Sequence, residues 1–374
     1  MTFRAEPFLV RVDDAVLDDL SARLRTARWP DPAPGDPWSQ GTDLDFLQRL
    51  VDYWVDGFDW RHQEQQIAAY DHFAAELAGA RIHFVHHRGG KPPLLLLHGW
   101  PSSFVELLPL IDRLGDRYDL VVPSLPGYGF SSRPNRQGLN RAEVARLCHH
   151  LMQGLGYDRY GACGGDFGAG VATLMALQQP DRMTGIHVST PEVSPYFGPG
   201  AEPLSAAEQT YAGHVARWEQ TERGYSAIQS TRPQTVGYGL TDSPIGLAAW
   251  LVEKWRAWSD SRGDVDAHIG RDLLLTTITL YWATRSITSS MRDYFDNRWY
   301  PAAIGSADRV EVPTAVGLFP NEFVPEGRPP REWFERLYRV TQWTEFPTGG
   351  HFAAAEEPDL LAADIAQHFG PLVG

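Results

Sequence analysis

The stretch Tyr157-Asp-Arg-Tyr-Gly-Ala-Cys-Gly164-Gly165-Asp166-Phe167-Gly168-Ala-Gly170 decides how this chain folds. Tyr157 to Gly164 reads as a short strand, and Phe167 to Gln178 reads as the helix that follows it. Between them a single acid, Asp166, stands with glycine two positions to either side. A turn that sharp brings backbone close to backbone, which glycine alone tolerates. The pattern is that of a nucleophile elbow with aspartate where serine usually stands. Alone, an aspartate in a glycine-rich loop is more often a turn former or a helix cap, so its neighbours must decide. Two other readings fail. Asp166-Phe-Gly168 echoes the kinase metal-binding tripeptide, but no phosphate loop or catalytic loop accompanies it. The glycines also miss dinucleotide-fold spacing.

On either side of the elbow, strand and helix alternate. Arg81 to His86, Pro93 to Leu97, Tyr118 to Pro123 and Met183 to Val188 read as strands. Ser103 and Glu106 form a capping box before a helix carrying Leu107, Leu110, Ile111 and Leu114, and Asn140 with Glu143 caps another. This order predicts an α/β fold, with a mostly parallel sheet covered by helices on both faces. The rhythm stops near Ser189. A Pro/Gly-rich bridge leads into an aromatic-rich helical segment from about Leu204 to Trp299, after which strands return at Val312 to Leu318 and Trp343 to Phe346. A last helix runs from about Pro358 to Phe369. The first eighty residues read as helices, with apolar stripes at Val16, Leu17, Leu20 and Leu24 and at Leu47, Leu50, Val51 and Trp54. A third helix is expected from about Arg61 towards Phe73. The division expected is therefore a helical N-terminal extension (1–80), a sheet domain in two parts (81–190 and 305–374) and a helical cap between them (191–304).

Composition narrows the function. A chain of 374 residues suits one large α/β unit with an insertion or extension. Aromatic residues make up 12%, enough for a large core and an aromatic-lined pocket. The net charge of −14 argues against nucleic acid or an anionic membrane as the main partner. Cys148 and Cys163 form neither a disulfide framework nor a metal site. Arg4, Glu6, Arg11 and Asp13 interrupt any signal-peptide core, and no stretch approaches the ~20 apolar residues that span a bilayer. A cytoplasmic protein is expected.

Three further features join Asp166. His98-Gly99-Trp100-Pro101 directly follows the Leu94–Leu97 strand, where an elbow fold draws one oxyanion-hole N–H; the residue after the nucleophile supplies the other. The candidates are the amides of Trp100 and Phe167. Gly349-Gly350-His351-Phe352 lies between a late strand and the last helix, where the general base belongs. Glu322, just beyond the Val312 strand, fits the acid that orients it, and Asp308, before that strand, fits worse. His149-His150 sits within a helix without metal spacing and is set aside. The order Asp166, Glu322, His351 matches nucleophile, acid, histidine. A carboxylate nucleophile also selects chemistry. Serine attacking a saturated carbon would leave an ether that water cannot easily cleave, whereas a carboxylate leaves an ester whose carbonyl carbon water can attack.

With these residues placed, the sequence resembles the microsomal-type epoxide hydrolases and their bacterial relatives. TARWPD, VDYWVDGFDWRHQ and IHFVHHR look like that family's N-terminal extension. HGWPSSF, PSLPGYGFS, GGDFGAGV, RPQTVGYGLTDSPIGLAAW, LYWAT and GGHFAAAEEP follow in the family's order, so the resemblance covers nearly the whole chain. It implies an α/β-hydrolase fold that opens a small-molecule epoxide with water to a vicinal diol, without metal, nucleotide or flavin. It assigns Asp166 as nucleophile, His351 as base and Glu322 as its orienting acid. It adds two cap tyrosines that hold the epoxide oxygen: Tyr225 in Gly-Tyr225-Ser-Ala-Ile-Gln, and Tyr294 in Ser-Ser-Met-Arg-Asp-Tyr294. A phenol of pKa ~10 can protonate an alkoxide whose acid lies near that of water, ~15.7. A membrane anchor like that of the mammalian members is not expected here, so "microsomal" is read as describing ancestry only. Two alternatives remain: a haloalkane dehalogenase, which shares the aspartate elbow, and a non-catalytic hydrolase-fold binding protein. Substrate identity and oligomeric state, monomer or homo-oligomer, stay open.

Overall fold

A computed structural model describes residues 3–190, 192–322 and 328–372. Nine strands form one sheet: β1 (Ala5–Pro7), β2 (His72–Leu77), β3 (Ala80–His87), β4 (Pro93–Leu97), β5 (Asp119–Pro123), β6 (Tyr160–Gly164), β7 (Met183–Val188), β8 (Val310–Leu318) and β9 (Tyr338–Glu345). Their order across the sheet is β1-β2-β3-β5-β4-β6-β7-β8-β9. The first three pairings, β1/β2, β2/β3 and β3/β5, are antiparallel, and every pairing from β5 onward is parallel. Sheet order reverses around β4, and in such sheets ligands bind in the crevice beyond the carboxyl ends of the strands at that switch point. Leu94, Leu95, Leu96 and Leu97 lie on this central strand with no more than 1% of their surface exposed. At roughly 1.5–3 kcal/mol for each fully buried leucine, β4 anchors the core from which the site projects.

The N-terminal region carries strands as well as helices. The expected third helix stops at Ile67, and His72–Leu77 pairs with β3 instead of extending it. Two alanines and a glutamate there favour helix locally, so β-propensity does not mark the segment. The hairpin decides: Ala78 and Gly79 both take positive φ, the tight two-residue turn that matches strand twist. The helices Leu44–Asp56 and Arg271–Thr284 meet through Trp54, whose indole donates to Thr279 Oγ1 at 3.0 Å, so the extension braces the cap.

Ser103 caps a short 3-10 turn, Phe104–Leu107, by accepting from the Val105 amide at 3.3 Å. The expected capping box does not form, because the Glu106 side chain turns inward and is buried beside Ser102. Asn140 does cap the helix Arg141–Gly154, accepting from the Glu143 amide at 3.0 Å. Between β7 and β8 a run of helices from Ala206–Thr221 to Ile287–Trp299 forms the cap over the carboxyl ends of the strands. Within it, Tyr281 donates to the Ser102 carbonyl at 2.8 Å, tying the cap to the loop after β4. No helix among the described residues is long and apolar enough to cross a membrane.

Candidate active site

β4 and β6 are parallel neighbours with Leu97 opposite Gly164, so the loops that leave them start side by side. Their approach is close enough to require glycine. A Cβ on Gly168 would lie 2.2 Å from the Leu97 carbonyl oxygen, and one on Gly99 would lie 2.4 Å from the Asp166 carboxylate. Asp166 itself sits at φ +47°, a left-handed conformation that costs a non-glycine residue on the order of 1 kcal/mol. The Thr190 hydroxyl, which accepts from the Asp166 amide at 2.9 Å, helps hold it there. The outcome is a carboxylate gripped by main chain: Asp166 Oδ1 accepts from the Trp100 amide at 2.9 Å. Phe167 is the second residue of the helix Asp166–Gln178, among the first-turn amides that a helix leaves without an internal acceptor.

β8 and β9 deliver the other two members in the same way. Their trailing loops are stitched by a parallel bridge between Asn321 and Gly350, with the Asn321 amide donating to the Gly349 carbonyl at 3.1 Å. Glu322 and His351 are the next residues along. His351 Nδ1 lies 2.5 Å from Glu322 Oε1, and His351 Nε2 lies 3.5 Å from Asp166 Oδ2. Glu322 therefore fixes the ring with one nitrogen turned to Asp166. The His351 amide donates to the Trp258 carbonyl at 2.8 Å, and the Trp258 ring meets the imidazole edge-on at 5.0 Å. Burial opposes the charge on His351, but Glu322, by its charge and its hydrogen bond, and then Asp166 hold its pKa up to about 10. Asp308 is remote from this group and accepts from the Gly305 amide at the surface.

The two tyrosines arrive from separate cap helices, Tyr225 from Gly224–Thr231 and Tyr294 from Ile287–Trp299, and their hydroxyls are hydrogen-bonded to each other. Tyr225 stacks on the Trp100 ring at 5.4 Å, while Tyr294 stands edge-on to Trp100 at 5.7 Å and to Phe167 at 4.8 Å. The residues singled out for their amides thus also supply the aromatic floor on which the phenols rest. Burial, reinforced by the negative charge of Asp166, drives both phenols upward and keeps them protonated.

Three charged neighbours escape the sequence reading. Lys254 is buried, paired with Glu253 at 2.6 Å, and its Nζ lies 4.6 Å from the centre of the Tyr225 ring. It falls on the same buried face of Pro244–Trp258 as Leu247, Leu251 and Trp258, a position that helical periodicity could have exposed. Asp293, next to Tyr294, accepts from the Tyr128 hydroxyl at 2.9 Å, and burial pushes its pKa to about 7. Glu106, the third, is pushed to about 7 as well, mainly by burial.

Comparison with known proteins finds relatives over nearly the whole chain. Residues 5–107 match the family described as epoxide hydrolase N terminus, and residues 92–258 match the alpha/beta hydrolase fold. The chain is 34% identical to epoxide hydrolase 1 of Sus scrofa over 98% of its own length and 88% of that protein. Among solved structures, it superposes on the juvenile hormone epoxide hydrolase of Bombyx mori with a TM-score of 0.89 at 30% identity, covering 99% of this chain and 95% of that one. The Aspergillus niger epoxide hydrolase superposes with a TM-score of 0.85 at 29% identity, covering 99% and 97%. The likeness runs through the extension, the elbow, the cap and the histidine loop together, and the chain belongs to the epoxide hydrolase family.

Proposed function

We propose that the protein opens a small-molecule epoxide to a vicinal diol in two half-reactions centred on Asp166. One observation carries the reading: a single carboxylate is held by the Trp100 amide, faced by His351, and near enough to two buried phenols to act on both. In the first step an Asp166 oxygen bonds to an epoxide carbon, and the ring C–O bond breaks. The departing oxygen takes a proton from the Tyr225–Tyr294 pair, so no free alkoxide forms. Esterification removes the charge of Asp166, one of the two carboxylates that hold the proton on His351. His351 then yields that proton to restore the phenol and becomes a neutral base. In the second step His351, steadied by Glu322, takes a proton from water as its oxygen bonds to the Asp166 carboxyl carbon. The tetrahedral oxyanion rests on the amides of Trp100 and Phe167. Collapse breaks the ester bond and the diol oxygen recovers the proton from His351; the new Asp166 carboxylic acid then passes its proton to His351, and the water oxygen stays in the carboxylate.

A haloalkane dehalogenase would share the ester but would need N–H donors for halide rather than an acid; the paired phenols favour the epoxide. A non-catalytic binding protein has no use for a histidine set between two carboxylates. The two buried free cysteines, Cys148 and Cys163, suit the reducing cytoplasm to which we assign the protein. Single-turnover hydrolysis of styrene oxide in oxygen-18 water tests the mechanism. The first diol should carry ordinary oxygen and the label should appear in Asp166; label passing straight into the diol would show that Asp166 is only a base.

A further inference from the structure

On the side of Asp166 away from the tyrosines, the core leaves a cavity of about 50 Å³. Asp166 and His351 border it together with Glu106, Ser102, Leu110 and Ile365, and none of the described cap residues does. The lining is mostly apolar, but a space of that size has room for a water beside the side chains of Glu106, Ser102 and His351 and is too small for a substrate. Glu106 is only 8% exposed, its side chain is hydrogen-bonded to Ser102, and the nearby group that favours its charge after Ser102 is His351. A buried carboxyl is costly for the fold unless it has partners.

The geometry points to Glu106 as a positioning residue for the second half-reaction, holding the attacking water in this cavity between its own carboxyl and His351. The inference rests on Asp166 being the nucleophile. An ester carbonyl is planar, and the alkyl group of the bound intermediate lies on the tyrosine side. Water must then approach from elsewhere, and the cavity offers a route that the product does not block. A water that donates one hydrogen to His351 and the other to Glu106 has a lone pair left for the Asp166 carboxyl carbon. Ser102 keeps the Glu106 carboxyl in place for that task. Burial raises Glu106, with Glu356 and then Asp166 adding to the rise, while the Ser102 hydrogen bond and His351 oppose it.

The test separates the two half-reactions by rapid mixing with styrene oxide and intact-protein mass spectrometry. In E106Q, alkylation of Asp166 should stay within about threefold of the unaltered protein. Ester hydrolysis should slow by on the order of 10- to 100-fold, the scale of misplacing a reacting group, so that the adduct accumulates. E106L, which offers no acceptor, should slow hydrolysis further while still leaving alkylation intact. Hydrolysis at the unaltered rate in E106Q, or alkylation lost as fully as hydrolysis, would overturn the role. Should the unaltered protein turn over without any adduct on Asp166, the nucleophile reading itself falls and this inference falls with it.

Discussion

On its cap side Asp166 meets aromatic rings and two phenols, with the Lys254 ammonium against the outer face of Tyr225. On its core side it meets a small, largely apolar cavity that also carries a buried carboxyl, Glu106, and a histidine backed by a second carboxylate, Glu322. The two faces thus differ in what stands behind them: the Lys254–Glu253 ion pair behind Tyr225, and carboxylates behind His351. Negative charge develops on the epoxide oxygen as the ring opens, and the Lys254–Glu253 pair lies behind the acid that answers it. Positive charge develops on the imidazole as water loses its proton, and carboxylates lie behind that base. One side chain shared between two different environments can be alkylated from one side and relieved from the other without rearranging the site.

That contrast makes the two half-reactions separable by mutation. The largest effect belongs to His351. In H351Q, alkylation should persist while turnover falls by roughly 10²–10⁴, the usual worth of a positioned base. The ester should then be visible as a stable mass increase on the intact protein. Equal loss of alkylation would mean that the histidine serves both faces, and the contrast would break. The tyrosines come next and should show the converse. Y225F or Y294F should slow alkylation by about 10- to 100-fold and leave ester hydrolysis unchanged in stopped-flow traces. Each loss should be milder than the 10²–10³ typical of a lone donor, because the partner phenol remains. The double variant should lose far more than either single one.

Legibility in the sequence follows the same division. Asp166, Trp100 and Phe167 could be read because steric demand leaves a mark: no other residue than glycine fits at Gly99 or Gly168. Glu322 and His351 could be placed because an elbow fold fixes their order and the ends of β8 and β9 are adjacent. The cap tyrosines could not be derived from periodicity, since one helix of aromatics resembles another; only the family resemblance singled them out. Glu106 was misread for an instructive reason. Ser103 and Glu106 satisfy the spacing of a capping box, but the segment winds as a 3-10 turn above a buried polar site, and the carboxyl turns inward. β2 was missed because its identity depends on pairing with β3, a tertiary contact that local propensity does not register.

Lys254 offers the finest test of the contrast. Its Nζ lies 4.6 Å from the Tyr225 ring centre and 5.7 Å from that of Trp258, in a buried position with Glu253 as its counter-ion. A cation over a phenol ring is worth about 0.5–2 kcal/mol, and only the part that grows as the phenol gives up its proton accelerates the reaction. K254M keeps most of the packing and removes the charge. It should therefore slow alkylation by no more than about threefold, measured by rapid quench, and leave ester hydrolysis untouched. A shift confined to alkylation would extend the polarity of the cap side one layer beyond the tyrosines. Equal slowing of both steps would make Lys254 and Glu253 a packing pair, and the cation behind the acid would be an accident of the fold.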